Sequence, residues 1–156
     1  YLLVESNSRW YIICFLEKLE EGDFEQNRIG RINTIPIDRI KDVRMSDKHD
    51  FINCSINILE RLERTIGVSI LHWENPISYN LEIEVSDFLL KYFESKPLII
   101  ELQTQKGNKF TYKGAIETIE LIAKLRSYGS SIKVLSPSSL VDKIKSDLTK
   151  SIEKYN

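Results

Sequence analysis

Seven consecutive residues, Trp10 to Leu16, are all apolar. Arg9 opens the run, and Ser6-Asn7-Ser8 ahead of it is rich in turn formers. Leu2 to Glu5 and Arg9 to Leu16 therefore read as two strands joined by a tight turn. A half-solvated strand alternates apolar with polar residues, and Trp10 to Leu16 does not. Both of its faces are expected to be covered.

The chain continues with an acidic stretch, Glu17 to Asn27, whose Gly22 fits an exposed hairpin loop. Ile32 to Ile40 reads as a further strand, with Pro36 marking an edge or a bulge. Asp42 to Met45 is expected to add a short last strand. Several short strands with tight turns point to a small β-barrel. The period then changes. Ile52, Ile56, Leu59 and Leu62 trace a helical stripe over Phe51 to Ile66, and Gly67 sits where a C-terminal cap belongs.

After Asn75-Pro76, Ile77 to Val85 alternates Tyr79, Leu81, Ile83 and Val85 on one strand face. A helix follows from Phe88 to Phe93. A hairpin of Leu98 to Gln103 with Lys109 to Tyr112 turns around Lys106-Gly107-Asn108. Ala115 to Tyr128 reads as a helix with the stripe Ile116, Ile119, Ile122 and Ala123, ending at Gly129. Ile132 to Leu135 is a short strand. Ser136-Pro137 supplies the start of a final helix, Ser138 to about Lys154. This strand, helix, strand, strand, helix, strand, helix order matches a ferredoxin-like unit with an added helix.

Charge narrows the function. Lys and Arg number 22 against 23 Asp and Glu, a net charge of −1. A nucleic-acid role would have to rest on a local basic patch, because there is no general basic excess. Arg28, Arg31, Arg39, Lys41 and Arg44 provide a cluster in sequence around the third strand. Arg9 and Tyr11 share one strand face, and Trp10 faces the other way. With Trp10 read as core, Tyr11 and Arg9 are placed to meet a ligand, the guanidinium on phosphate and the phenol on a base. Arg28 and Arg31 also read as plain solvated charges beside Gly30, and Arg39 as an ion-pair partner of Asp38.

Other chemistry is not signalled. The sequence carries no Gly-rich phosphate loop, no G-x-S-x-G elbow and no H-E-x-x-H, so no catalytic residue is assigned and the chain reads as a non-enzyme. His49 and His72 are isolated, so neither a metal nor another cofactor is expected. Cys14 and Cys54 are too few for a disulfide framework and read as reduced, buried thiols in the cytoplasm. Asn53-Cys54-Ser55 matches the glycosylation pattern by accident. No apolar run approaches the roughly 20 residues that span a bilayer, so no membrane partner is expected. The chain opens on a strand and reads as starting inside a domain.

Residues 1 to 46 resemble a WYL domain. Trp10-Tyr11-Ile12 corresponds to the Trp-Tyr-Leu triplet, with Tyr1-Leu2-Leu3 and Asn7-Ser8-Arg9 as its lead-in and Ile37-Asp38-Arg39-Ile40 as the downstream Leu-Asp-Arg-Ile. The remainder is similar to the C-terminal WCX extension, through Thr65-Ile66-Gly67-Val68, Lys96-Pro97-Leu98, Leu125-Arg126-Ser127-Tyr128-Gly129 and Val134-Leu135-Ser136-Pro137-Ser138-Ser139-Leu140. The resemblance implies an α+β chain: an Sm- or SH3-like WYL β-barrel over 1–46, its first strand missing, a helical connector over 47–75, and a WCX unit over 76–156. It implies the effector-sensing and dimerising part of a bacterial transcription regulator. Operator DNA would be bound only through a helix-turn-helix domain that this chain lacks. The implied effector is single-stranded nucleic acid or a nucleotide-like ligand, held by Arg9, Tyr11, Arg28, Arg31, Asn33 and Arg39. Asn33 stands where many members carry an arginine. Ile99-Ile100-Glu101-Leu102 replaces a His and Ser-Gln pattern, and Pro36 occupies an often basic position. Those departures leave a structural dimerisation module without ligand as the alternative.

Overall fold

A computed structural model of the chain describes residues 1–16, 31–44, 56–99 and 103–155. Within them the protein is mixed α+β, with two antiparallel sheets and four α-helices. The first sheet runs β1 (Leu2–Ser6), β2 (Arg9–Leu16), β3 (Arg31–Pro36) in spatial order. Asn7 and Ser8 form the β1–β2 turn at φ 51° and 59°. Two successive positive φ values are what a type I′ hairpin needs, and its twist matches that of the flanking strands.

Register decides what each face does. Leu2 pairs with Ile13 and Val4 with Tyr11, while Ile13 pairs with Thr34 and Phe15 with Ile32. Side chains alternate, so Leu2, Val4, Tyr11, Ile13 and Ile32 share one face and Leu3, Trp10, Ile12 and Cys14 share the other. The first face is covered: Ile13 is fully buried, in a cluster with Ile32, Ile70, Trp73 and Ile116. The second face is not. Trp10 is 51% exposed and Leu3 52%. The expectation that Trp10 is core, with β2 covered on both sides, is therefore corrected. Tyr11's parity, not Trp10's, points inward, and Trp73 is the tryptophan in the core.

Among the described residues the three strands form an open sheet and not the expected closed barrel. β3 also stops at Pro36 and does not run on to Ile40. Proline has no N–H to give a ladder, and the chain leaves through a 3-10 turn, Ile37–Arg39. Residues 41–44 add no strand. The expected acidic loop lies outside the described residues, as do Met45 and Cys54. Cys14 is a free, half-buried thiol, and burial pushes its pKa up, which keeps it protonated and unreactive.

The expected connector helix is short. α1 spans Ile58–Glu63, capped by Asn57, whose Oδ1 accepts from Glu60 N at 3.1 Å; residues 51–55 of the expected stripe lie outside the described residues. Residues 64–76 are turns and extended chain and not helix.

The remainder follows the expected order: β4 (Ser78–Val85), α2 (Asp87–Ser95), β5 (Gln103–Lys106), β6 (Lys109–Ile116), α3 (Ile119–Ser127), β7 (Ile132–Ser136) and α4 (Ser138–Glu153). The strands lie in the order β5-β6-β4-β7, every neighbour antiparallel. Alternation on β4 works as read: Leu81, Ile83 and Val85 are all fully buried. They pack with Phe110 and Tyr112 of β6, Phe93 of α2, Leu121 and Leu125 of α3 and Leu140 of α4. Two readings are corrected here. Ala115 and Ile116 belong to β6, and the buried stripe of α3 is Leu121, Ile122 and Leu125, with Ile119 61% exposed. Leu98 and Ile99 lie outside β5 and pack with the core. Among the described residues, no helix is long and apolar enough to cross a membrane.

Candidate functional site

The start of α3 positions a wall that the sequence reading did not anticipate. Thr118, buried at the helix N-cap, accepts from Leu121 N at 3.0 Å and donates to Ile66 O at 2.6 Å. Glu120 Oε1 accepts from Ser69 Oγ at 2.7 Å and from Val68 N at 3.3 Å. Ile70 makes a single β-bridge to Thr118. On the other side Thr34 Oγ1 donates to Val68 O at 3.1 Å, and Ile32 N donates to Glu74 Oε1 at 3.3 Å. The 66–74 segment is thus pinned between α3 and β3.

Gly67 makes that clamp possible. Its φ is +79°, and a Cβ there would meet Glu120 Cδ at 2.4 Å. Gly67→Ala is expected to cost about 1–3 kcal/mol through backbone strain, with the clash added. Denaturant unfolding measures this, and a variant as stable as the parent would rule out the packed Gly67–Glu120 contact.

Between this wall and the rim of the first sheet lies an open groove of about 470 Å³. Its floor is Ile32, Thr34, Pro36, Ile70 and Trp73. Its polar rim holds Arg9, Tyr11, Asn33, Arg39, His72 and Glu74. Four of the six candidate residues, Arg9, Tyr11, Asn33 and Arg39, therefore meet at one groove. Arg28 lies outside the described residues. Arg31 begins β3, opposite Leu16. Ser69, His72, Trp73 and Glu74 were not predicted. The alternation of Val68 and Ile70, both buried, was the available signal that 66–74 is extended and lies against a core.

Arg9 is engaged, not free. Its Nε and Nη2 donate to Asp38 Oδ1 and Oδ2 at 2.8 Å and 2.6 Å, a two-pronged ion pair. Its guanidinium also lies 5.8 Å from the centre of the Tyr11 ring. One reading of Arg39 pairs it with its neighbour Asp38. Instead the 3-10 turn carries Asp38 back over the start of β2, leaving Arg39 exposed and without an ion pair among the described residues. The Asp38 side chain thus holds Arg9 in place at the groove, which Arg39 also lines.

The hydrogen bond from Arg9 holds the Asp38 carboxyl below its ordinary value and raises the Arg9 pKa in turn. A depressed carboxylate contributes its stabilisation above the unfolded pKa and loses it as pH falls through the folded pKa. The pair therefore stays closed at neutral pH and opens only in acid. An NMR titration should place the Asp38 midpoint below the ordinary aspartate value, and Arg9→Gln should raise it toward that value. A midpoint already at the ordinary value in the parent would refute the pairing. Both groups are solvent-exposed, so the effect on stability is small.

The fold and groove together define an α+β protein with an amphipathic, arginine-rimmed cleft and, among the described residues, no cluster able to hold a metal ion. No family model matches the chain. The chain is similar to the phenylalanine–tRNA ligase beta subunit of Ureaplasma parvum serovar 3, with 32% identity over 120 residues. That match covers 74% of this chain but only 15% of the subunit.

Proposed function

We propose that the chain is the effector-sensing module of a WYL-family transcription regulator, and that its effector is a nucleotide or the end of a single strand bound in the Arg39 groove. The convergence of Arg9, Tyr11, Asn33 and Arg39 on one groove carries this proposal. The WYL-like motif order in the sequence supports it. In the C-terminal unit, the strand order β5-β6-β4-β7 supports a ferredoxin-like WCX assignment. The boundaries proposed for the WYL part, the connector and the WCX unit are 1–46, 47–75 and 76–156. Self-association through this module would pass the effector signal to a DNA-binding domain by shifting the dimer between arrangements.

Geometry also bears on the size of the ligand. About 470 Å³ is within the usual range for a small-molecule site. Arg9 is already paired, so Arg39 supplies the phosphate contact and Tyr11 the flat face. One or two phosphate contacts give a salt slope of only about −0.7 each for single strands. Titrating labelled nucleoside phosphates and short single-stranded oligonucleotides at several salt concentrations tests this. Saturable binding with a shallow slope is expected, and absence of saturation for every probe defeats the proposal.

The 32% identity to a tRNA ligase subunit favours a second function, in which the chain is a module of such a subunit and its groove meets tRNA. Folded tRNA would then bind more tightly than nucleotides or unstructured oligonucleotides, a preference that the effector proposal does not predict.

A further inference from the structure

A second cleft shares only Glu74 with the first. It encloses about 370 Å³ and is lined by Arg61 and Arg64 from the end of α1, with Asn57, Asn75 and Ser78 around them. Arg61 Nη1 is fully buried with no hydrogen-bond partner, and Nη2 makes only a long contact of 3.4 Å to Glu74 O. Arg64 is half-buried, its Nε donating to Gly114 O at 2.8 Å. Gly114, at φ +70°, leaves the room: a Cβ there would stand 2.7 Å from Arg64 Nη2.

Among the described residues neither guanidinium has an ion-pair partner. Glu60 and Glu74 also line the cleft, but Glu74 Oε1 is turned to Ile32 N and Glu60 forms no salt bridge with either arginine. Charges removed from water are ordinarily paired, because an orphaned guanidinium N–H costs its full desolvation penalty. Two planar donor forks in one polar cleft match the oxygens of a tetrahedral anion.

We infer that the Arg61–Arg64 cleft is a second binding site, for a phosphate-class oxyanion, either free or as the phosphoryl group of a small polar molecule. It is independent of the Arg39 groove and of the function proposed for it. Binding contributes no covalent chemistry: the anion meets the guanidinium groups of Arg61 and Arg64 that line the cleft, and amide and hydroxyl groups of Asn57, Asn75 and Ser78 are at hand for the rest of the ligand.

Inorganic phosphate, ribose 5-phosphate and chloride, compared at equal ionic strength by thermal melting and calorimetric titration of the full chain, test the site. Phosphate should raise the melting temperature where chloride does not, and ribose 5-phosphate binding more tightly would identify a phosphorylated ligand over the free ion. Arg61→Gln should weaken phosphate binding about tenfold or more, and Lys133→Ala, on β7 and lining neither cleft, should leave it unchanged. Without phosphate, Arg61→Gln should melt no lower than the parent, because it removes an unsatisfied buried donor. Three results would overturn the inference: a phosphate shift no larger than that of chloride, a shift that survives Arg61→Gln, or a lower melting temperature of Arg61→Gln in the absence of phosphate. The second of these, combined with loss on Arg39→Ala, would assign the phosphate to the first groove.

Discussion

Trp73→Ala is expected to cost about 3–5 kcal/mol, as truncation of a buried aromatic does. Trp73 is 2% exposed and lies between the first sheet and the end of β6, in the cluster with Ile13, Ile32, Ile70 and Ile116. It is also the floor of the Arg39 groove. The variant should therefore lose ligand binding together with stability. Trp10→Ala provides the contrast. Half of that side chain is in water, so the loss should be no more than about 2 kcal/mol by area. Urea unfolding of the two variants measures the difference. If Trp10→Ala proved the more damaging, the assigned faces of β2 would be wrong.

Arg39→Ala should weaken binding of a nucleotide-like anion by about 10- to 150-fold, the equivalent of roughly 1.5–3 kcal/mol for a hydrogen bond to a charged group. Arg39 is exposed and packs no core, so stability should move by less than about 0.5 kcal/mol. Arg9→Ala acts differently. It frees Asp38 and places an unpaired carboxylate beside the groove, which should weaken anion binding by repulsion as well as by loss of a donor. Asp38→Asn in the same background should recover part of that loss. Fluorescence titration with a labelled nucleoside phosphate separates these cases, and equal affinity in the parent and Arg39→Ala would remove Arg39 from the site.

The C-terminal half was the more legible in sequence. Its β4 alternation, Tyr79 to Val85, and the element order are local signals, each carried by one period or one turn. The boundaries that slipped did so where long-range contacts overrode the local pattern. Ile116 was read as helix but is taken by β6 and the second core cluster. Thr118, which caps α3 and grips Ile66, then sets the helix start at Ile119 and not at Ala115.

In the N-terminal half the hairpin at Asn7-Ser8 was readable because turn chemistry is local. Which face of β2 is buried was not. Trp10 to Leu16 is apolar on both faces, so period 2 carries no information about direction. The choice was made by residues 70–73, far away in the chain. Asp38 posed the same problem: its sequence neighbour Arg39 was one readable partner, and Arg9, 29 positions away, is the actual one.

By itself, then, the sequence determined that Arg9-Trp10-Tyr11 begins a long apolar strand, that Arg9 and Tyr11 share a face, and that arginines gather nearby. Tertiary structure alone decided that Tyr11's face and not Trp10's turns inward, that Asp38 ties up Arg9, and that Arg39 is exposed without an ion pair among the described residues. Parity along a strand is fixed by covalent geometry, whereas the side that is covered depends on which distant segment packs there.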